Sequence, residues 1–247
     1  MAFADVLLRV VPSADEELER LSLAVDLTQR FRARLGGVFV KSDGKQEGWA
    51  KTLFERAVSK TSLETTWRVV DGHSNEALLF QARRSDLAIL PADGLIPGPD
   101  CHAPELIGLE SGGPILILPQ PSEAMSIGHK ILIGWNNTRQ AARAIHDAMP
   151  ILVNADSVCV LSVMTEDDLE PLADRRLADH LRQHGVAVNL TRRHGDAAEE
   201  IAAEARDLGA DILVIGLQGG EPGAQRTLGD VTRRFVRTVS LPVFLAC

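Results

Sequence analysis

Residues 211–233 read DILVIGLQGGEPGAQRTLGDVTR and join a strand, a glycine-rich loop and the start of a helix. Four apolar residues, Ile212 to Ile215, follow one another without alternation. Such a run is typical of a parallel strand that is covered on both faces. Glycines then recur as far as Gly229, and apolar residues resume at helical spacing from Val231. The stretch therefore predicts a strand that leads through a glycine loop into a helix.

This order has two interpretations. Glycines let backbone N–H groups approach an oxyanion, and a helix N-terminus adds unpaired donors and a partial positive charge, so the loop favours a phosphate group. Alternatively, the glycines only serve the turns of the loop. No Gly-Lys-Ser/Thr follows, which excludes a P-loop of the ATPase type, and neither half opens on Gly-x-Gly-x-x-Gly, which argues against a dinucleotide site.

The spacing of three glycines is more specific than their number. Gly216, Gly219 and Gly229 form Gly-x2-Gly-x9-Gly. This pattern resembles the universal stress protein family, whose nucleotide-binding members carry the same spacing followed by Ser or Thr. The resemblance implies a stress-response protein that binds ATP or AMP in its C-terminal half, with magnesium as a candidate companion ion. Here Asp230 stands in the Ser/Thr position, and an ionised carboxylate cannot donate to phosphate and repels it.

Composition narrows the class of protein. The chain has 247 residues, a formal charge of −8 and a pI near 5.4, which argues against nucleic acid and anionic membranes as partners. No apolar run is long enough to span a bilayer and no signal peptide pattern opens the chain, so we expect a cytoplasmic protein. The three cysteines show no metal spacing.

The first half is predicted to alternate strands and helices. Its strands are expected at Val6–Val11, Gly37–Lys41, Thr65–Val70, Leu87–Leu90 and Pro114–Leu118. A helix begins at the capping box Ser13–Glu16 and runs toward Leu35, where Gly36 and Gly37 end it; others are expected at Glu47–Lys60 and Asn75–Arg84. A long Pro/Gly-rich loop is expected between Leu90 and Pro114.

After a polar linker the same order begins again. Strands are expected at Lys130–Trp135, Val158–Val163, Val186–Leu190, Ile212–Ile215 and Leu241–Leu245, and helices at Thr138–Met149, Leu169–His184, Asp196–Leu208 and after Gly229. The segment Asp86–Leu90 aligns with Asp211–Ile215 as part of an internal repeat. The pattern predicts an α/β fold with two tandem, doubly wound parallel sheets, in domains 1–120 and 128–247.

The family resemblance extends this to an adenine nucleotide alpha hydrolase-like fold in both domains. It also implies that the two domains pair through their last strands as an intramolecular pseudo-dimer, with a further homodimer as an open question and unknown protein partners.

Ligands of open α/β sheets bind beyond the carboxyl ends of the strands. Nucleotide-binding relatives place an Asp after the first strand and an aliphatic residue at the end of the second, positions that Asn136 and Val163 occupy here. Asn136 equally suits a turn and helix cap. Asp230 is likewise a good helix cap, so that it could fill the anion site itself. The candidate nucleotide-binding residues are Asn136, Val163, Gly216, Gly219, Gly229, Asp230, Val231 and Thr232.

The N-terminal half is predicted to bind no nucleotide. Pro91 stands where the other half has Gly216, Gly94 matches Gly219, and Pro104 stands in place of Gly229. Proline lacks both an N–H and the conformational freedom of glycine. This domain is therefore interpreted as structural.

Other chemistry is weakly indicated. His180 and His184 are four residues apart on a helix, as in a metal-binding pair, but the sequence offers no third ligand, and an exposed helical face is the favoured explanation. No motif places a catalytic base, so an enzyme, at most a slow ATPase, ranks behind two other hypotheses. These are a nucleotide-binding stress protein and, as its alternative, a protein-interaction or chaperone-like scaffold that does not bind nucleotide.

Overall fold

The computed structural model describes residues 2–11, 15–41, 47–71, 75–92, 104–119, 126–164, 171–218 and 241–247. The chain divides into two compact units, residues 1–125 and 126–247. In the part of the chain so described, no helix is long and apolar enough to cross a membrane.

The first unit is a parallel sheet with helices between successive strands. Its elements in chain order are β1 (Asp5–Val10), α1 (Asp15–Phe31), β2 (Arg34–Lys41), α2 (Glu47–Val58), β3 (Thr65–Asp71), α3 (Asn75–Ala82), β4 (Leu87–Pro91), α4 (Pro104–Ser111) and β5 (Ile115–Leu118). The strand order is β3-β2-β1-β4-β5. The central strands β1 and β4 are almost entirely buried, as their apolar sequences predict.

The second unit repeats this architecture. Its elements are β6 (Lys130–Trp135), α5 (Arg139–Leu152), β7 (Ser157–Met164), α6 (Pro171–Gln183), β8 (Val188–His194), α7 (Ala197–Leu208), β9 (Ile212–Gly216) and β10 (Val243–Ala246). The strand order β8-β7-β6-β9-β10 matches that of the first unit position by position. The predicted α/β fold with mostly parallel, doubly wound sheets is confirmed.

The two units also share a set of aspartate-to-backbone hydrogen bonds at the amino ends of their strands. The carboxylate of Asp211 accepts hydrogen bonds from the backbone N–H groups of Gly128 (2.9 Å), His129 (2.9 Å) and Lys130 (3.1 Å). In the first unit, Asp86 accepts from the N–H groups of Ala4 (2.8 Å) and Asp5 (3.0 Å). Asp86 therefore holds the start of β1 beside β4, and Asp211 holds the start of β6 beside β9.

The expectation that α1 runs toward Leu35 is wrong. The helix ends at Phe31, and Arg34 already pairs with Asp5 in the sheet. Gly37 lies inside β2, where a Cβ would stand 2.8 Å from the ring of Phe54 and 2.9 Å from that of Trp67. The glycine is required by the close packing of these two aromatic rings on the strand and not by a helix end.

Part of the long loop expected before β5 is a helix. Residues 104–111 form α4, which begins at Pro104. Proline is well suited to the first position of a helix, because its fixed φ is already helical and its missing N–H would be unpaired there in any case. Pro104, which the repeat aligns with Gly229, therefore begins a helix.

Helices cover both faces of the second sheet. The side chain of Arg192 on β8 contacts Asp174 of α6 (2.8 Å), and the end of β9 packs on α5, which places these two helices over one face. Arg193, the next residue of β8, contacts Glu204 of α7 (2.6 Å). The helix α7 therefore covers the opposite face.

Candidate functional site

The strand order of the second unit creates a crevice at one particular place. From β6 the chain proceeds to β7 and β8 on one side, and then returns to β9 and β10 on the other. Beyond the carboxyl ends of β6 and β9 the connections lead in opposite directions, which is where open α/β sheets bind their ligands. Trp135 and Gly216, the last residues of β6 and β9, mark these two ends.

Three of the sequence-predicted site residues surround this point. Asn136 follows β6 directly, Val163 is the penultimate residue of β7, and Gly216 ends β9, so that they lie at the same edge of three neighbouring strands in the order β9-β6-β7. Asn136 is exposed and Val163 is half-buried. The remaining predicted residues lie outside the described part of the chain: Gly219, Gly229, Asp230, Val231 and Thr232.

Asn136 is part of the turn that starts α5. Its Oδ1 accepts from the hydroxyl of Thr138 at 2.7 Å and from the Thr138 N–H at 3.4 Å. Thr138 is the N-cap residue, and its own hydroxyl oxygen accepts from the N–H of Ala141 at 3.3 Å. Asn137 between them has a left-handed φ of 55°, which asparagine tolerates better than most residues. Because its oxygen is used within the turn, Asn136 offers a ligand only the donors of its amide nitrogen.

Gly216 packs against the first turn of the same helix. A Cβ at this position would lie 2.5 Å from the nitrogen of Ala141 and 2.5 Å from the carbonyl carbon of Gln140. Both contacts are with backbone, which cannot rotate away as a flexible side chain can. The glycine therefore allows the end of β9 and the amino end of α5 to approach each other, and with them the N–H groups that a helix leaves unpaired in its first turn.

Two further polar residues at this edge escaped the sequence analysis. Trp135 Nε1 and Ser162 Oγ are buried and, within the described part of the chain, have no hydrogen-bond partner. The two residues pair across β6 and β7, so their side chains lie on the same face of the sheet. An apolar ring and a small hydroxyl inside strands read as core residues in a sequence, and only the register shows that they adjoin the crevice.

Comparison with known protein families assigns the second unit to a family. Residues 129–246 match the model of the universal stress protein family. The second unit belongs to the universal stress protein family. No curated protein sequence matches the chain significantly.

Solved structures extend the similarity of fold to the whole chain. A universal stress protein from Archaeoglobus fulgidus superposes with a TM-score of 0.74 at 14% identity, over 98% of this chain and 97% of that one. A functionally unknown protein from Pseudomonas aeruginosa gives 0.69 at 18% identity, over 99% and 92%. A universal stress protein family protein from Arabidopsis thaliana with AMP bound covers 48% of this chain and 90% of its own, at 18% identity and a TM-score of 0.36. The full-length matches show that both units have the fold of universal stress proteins.

An ion-pair cluster flanks the crevice of the universal stress protein domain. Arg193, level with Val163, contacts Glu204 (2.6 Å), Asp207 (2.7 Å) and Glu200 (3.5 Å) of α7. Hydrogen bonds to Asp207 and Glu204 raise the pKa of Arg193 further above its usual value. Its charge is shared among three carboxylates, so this arginine has little capacity left for a phosphate. Arg139 is exposed in the first turn of α5.

The corresponding edge of the first unit is built differently. Val10 and Pro91 are the last residues of β1 and β4, as Trp135 and Gly216 are of β6 and β9. The carboxylate of Glu17, which is fully buried, accepts from the Val11 N–H at 3.1 Å and contacts Arg20 at 2.6 Å. A buried Glu17–Arg20 ion pair thus lies beside the end of β1.

Proposed function

We propose that this chain is a universal stress protein that binds one adenine nucleotide, ATP or AMP, at the crevice between the carboxyl ends of β6 and β9. The observation that carries the proposal is the contact of Gly216 with the first turn of α5 beside the topological switch point. This contact brings the strand end, the first turn of the helix and the start of the glycine loop together in one place.

The chemistry of the surrounding residues supports a ligand that is polar on one side and apolar on another. Trp135 supplies a buried indole donor that no described residue accepts, and Asn136 supplies an amide donor at the mouth of the crevice. Val163 supplies an aliphatic surface at the end of β7. A nucleoside has hydrogen-bond acceptors on its base and ribose and an apolar ring face, which suits this combination.

We propose further that the first unit binds no nucleotide, because Pro91 stands where the second unit has Gly216 and lacks both an N–H and the conformational freedom of glycine. The chain then binds one nucleotide and not two. Its role in a stress response, its cytoplasmic location, a use of magnesium and the division into domains 1–120 and 128–247 belong to the same proposal.

Calorimetric titration of the desalted protein with ATP, AMP and ADP, with and without magnesium, tests the proposal. We expect saturable binding of one nucleotide per chain. Replacing Asp230 by serine is expected to strengthen binding, because it removes a repelling charge and adds a hydroxyl donor. Gly219→Val is expected to abolish it.

Tryptophan fluorescence assigns the site to a unit. Trp135 is the only tryptophan of the second half; the other two, Trp49 and Trp67, lie in the first. In a chain with both of those replaced by phenylalanine, the nucleotide should change the emission of Trp135. A stoichiometry of two, or no binding of any of the three nucleotides by a folded protein, would contradict the proposal.

The second candidate is a scaffold that binds partner proteins and no nucleotide. Two observations favour it: the side-chain oxygen of Asn136 is already used within its turn, and Asp230 follows the last glycine of the motif. The two candidates separate in the Gly219→Val variant, which should lose nucleotide under the first and keep its partner proteins under the second.

A further inference from the structure

Three histidines from two helices of the second unit come together. His180 lies on α6, His184 follows the end of that helix, and His146 lies on the neighbouring α5. The ring centroids of His146 and His180 are 5.6 Å apart, and those of His180 and His184 are 4.8 Å apart. The structure thus supplies the third imidazole that the sequence did not reveal beside the His180–His184 pair.

The His146–His180 and His180–His184 separations are close to those of two imidazoles that share one metal ion. A Zn–N bond of about 2.0–2.1 Å places the centre of an imidazole roughly 3.2 Å from the metal, so two ligands at a tetrahedral angle have centres roughly 5 Å apart. The two observed distances lie on either side of that value. His180 and His184 are four residues apart across the end of α6, and zinc sites combine such a pair with a third ligand from another element.

The central ring has an unused nitrogen. Nε2 of His180 is buried and has no hydrogen-bond partner among the described residues. A buried ring nitrogen of this kind gains from a ligand that supplies a partner. His146 and His184, by contrast, are exposed and can be reached from solvent.

We propose that His146, His180 and His184 bind a transition-metal ion of the kind that prefers imidazole, such as Zn²⁺ or Ni²⁺, and so tie α5 to α6. In the described part of the chain, no group of three donors is already gathered for a metal. The rings contact edge to face, at 64° and 70°. Binding therefore requires the exposed rings of His146 and His184 to rotate toward the fixed His180, with water completing the coordination.

The acidic residues nearest to these histidines along the chain are in ion pairs with arginines, so we do not expect them to be metal ligands. Asp147 pairs with Arg143 at 2.8 Å, and Asp179 pairs with Arg182 at 3.0 Å. Cys159 belongs to the other face of the sheet, where its sulfur contacts Glu204 of α7. The expected ligand set is therefore nitrogen only, and it differs from any thiolate site.

Titration of the tag-free, chelator-treated full chain with ZnCl₂ and NiCl₂ by calorimetry is the test. We expect one ion per chain, a raised unfolding temperature in its presence, and weaker binding at about pH 5.5 because metal ligands must be deprotonated. His146→Ala and His184→Ala should each lower the affinity at least about tenfold, since even the loss of outer-shell partners costs that much.

The matched control is His129→Ala. This histidine is also in the second unit but pairs with Asp156, away from the cluster on α5 and α6. The His129→Ala variant should bind metal as the unaltered chain does. The double variant His146→Ala/His184→Ala removes only exposed rings, so its folding, checked by circular dichroism, should persist. Absence of saturable binding, or binding unchanged in that folded double variant, would overturn the proposal.

Discussion

Adding one methyl group at Gly216 should destabilise the second unit. In Gly216→Ala the new Cβ would stand 2.5 Å from backbone atoms of Gln140 and Ala141, whereas ordinary contacts begin at 3.4 Å. The end of β9 and the first turn of α5 must therefore separate by about 1 Å. Overpacking of this kind costs about 1–3 kcal/mol. The same shift moves the helical N–H groups at the crevice, so nucleotide affinity should fall as well.

Urea unfolding followed by Trp135 emission in the Trp49→Phe/Trp67→Phe background reports on the second unit alone. Gly48→Ala is the control, because a Cβ at this position in α2 meets nothing within 4 Å. It should leave stability unchanged or raise it by up to about 1 kcal/mol, measured by circular dichroism, since alanine is the better helix former. If Gly216→Ala unfolds within about 0.5 kcal/mol of the unaltered chain, the packing argument is refuted.

Two further predictions concern the second unit. Asp211→Ala should lower the unfolding free energy of the second unit by about 1–3 kcal/mol, because three backbone N–H groups lose their acceptor. Asp86→Ala should lower that of the first unit by less, because only two N–H groups lose theirs. Equal losses in urea unfolding would argue against this. Burial, reinforced by Glu204, raises the pKa of the Cys159 thiol, so its reactive thiolate forms only at a higher pH than in free cysteine. Iodoacetamide at about pH 8 should alkylate Cys159 far more slowly in the native protein than in urea, as peptide mass spectrometry would measure, and comparable rates would contradict the assigned burial.

The fold could be predicted from sequence because its signals are local and repeated. The apolar runs of β1, β4, β6 and β9 are buried strands, and β6 spans the residues predicted for it. Asp196 and Gly209 cap α7 as their residue types favour, with Gly209 in the left-handed region at φ 58°. These features depend on a few neighbouring residues, which a sequence displays directly.

The errors arose where glycine or proline has more than one use. The sequence predicts a helix end at Gly36 and Gly37, but the strand pairing of Arg34 with Asp5 extends β2 backward through them. The sequence also predicts a loop around Pro104, although this residue begins α4. For the two glycines, pairing with a distant strand decides between local structures that the sequence allows.

The sequence by itself determined the α/β class, the order of nearly all strands and helices, and the resemblance to universal stress proteins, because periodicity, caps and a glycine motif are properties of neighbouring residues. Only the tertiary structure decided why Gly216 must be glycine, that Trp135 and Ser162 adjoin the crevice, and that His146 joins His180 and His184. These facts depend on register and on helix packing, which bring residues together that are tens of positions apart. The physical reason is that a sequence records which side chains are available, whereas their chemistry depends on the distances that folding sets between them.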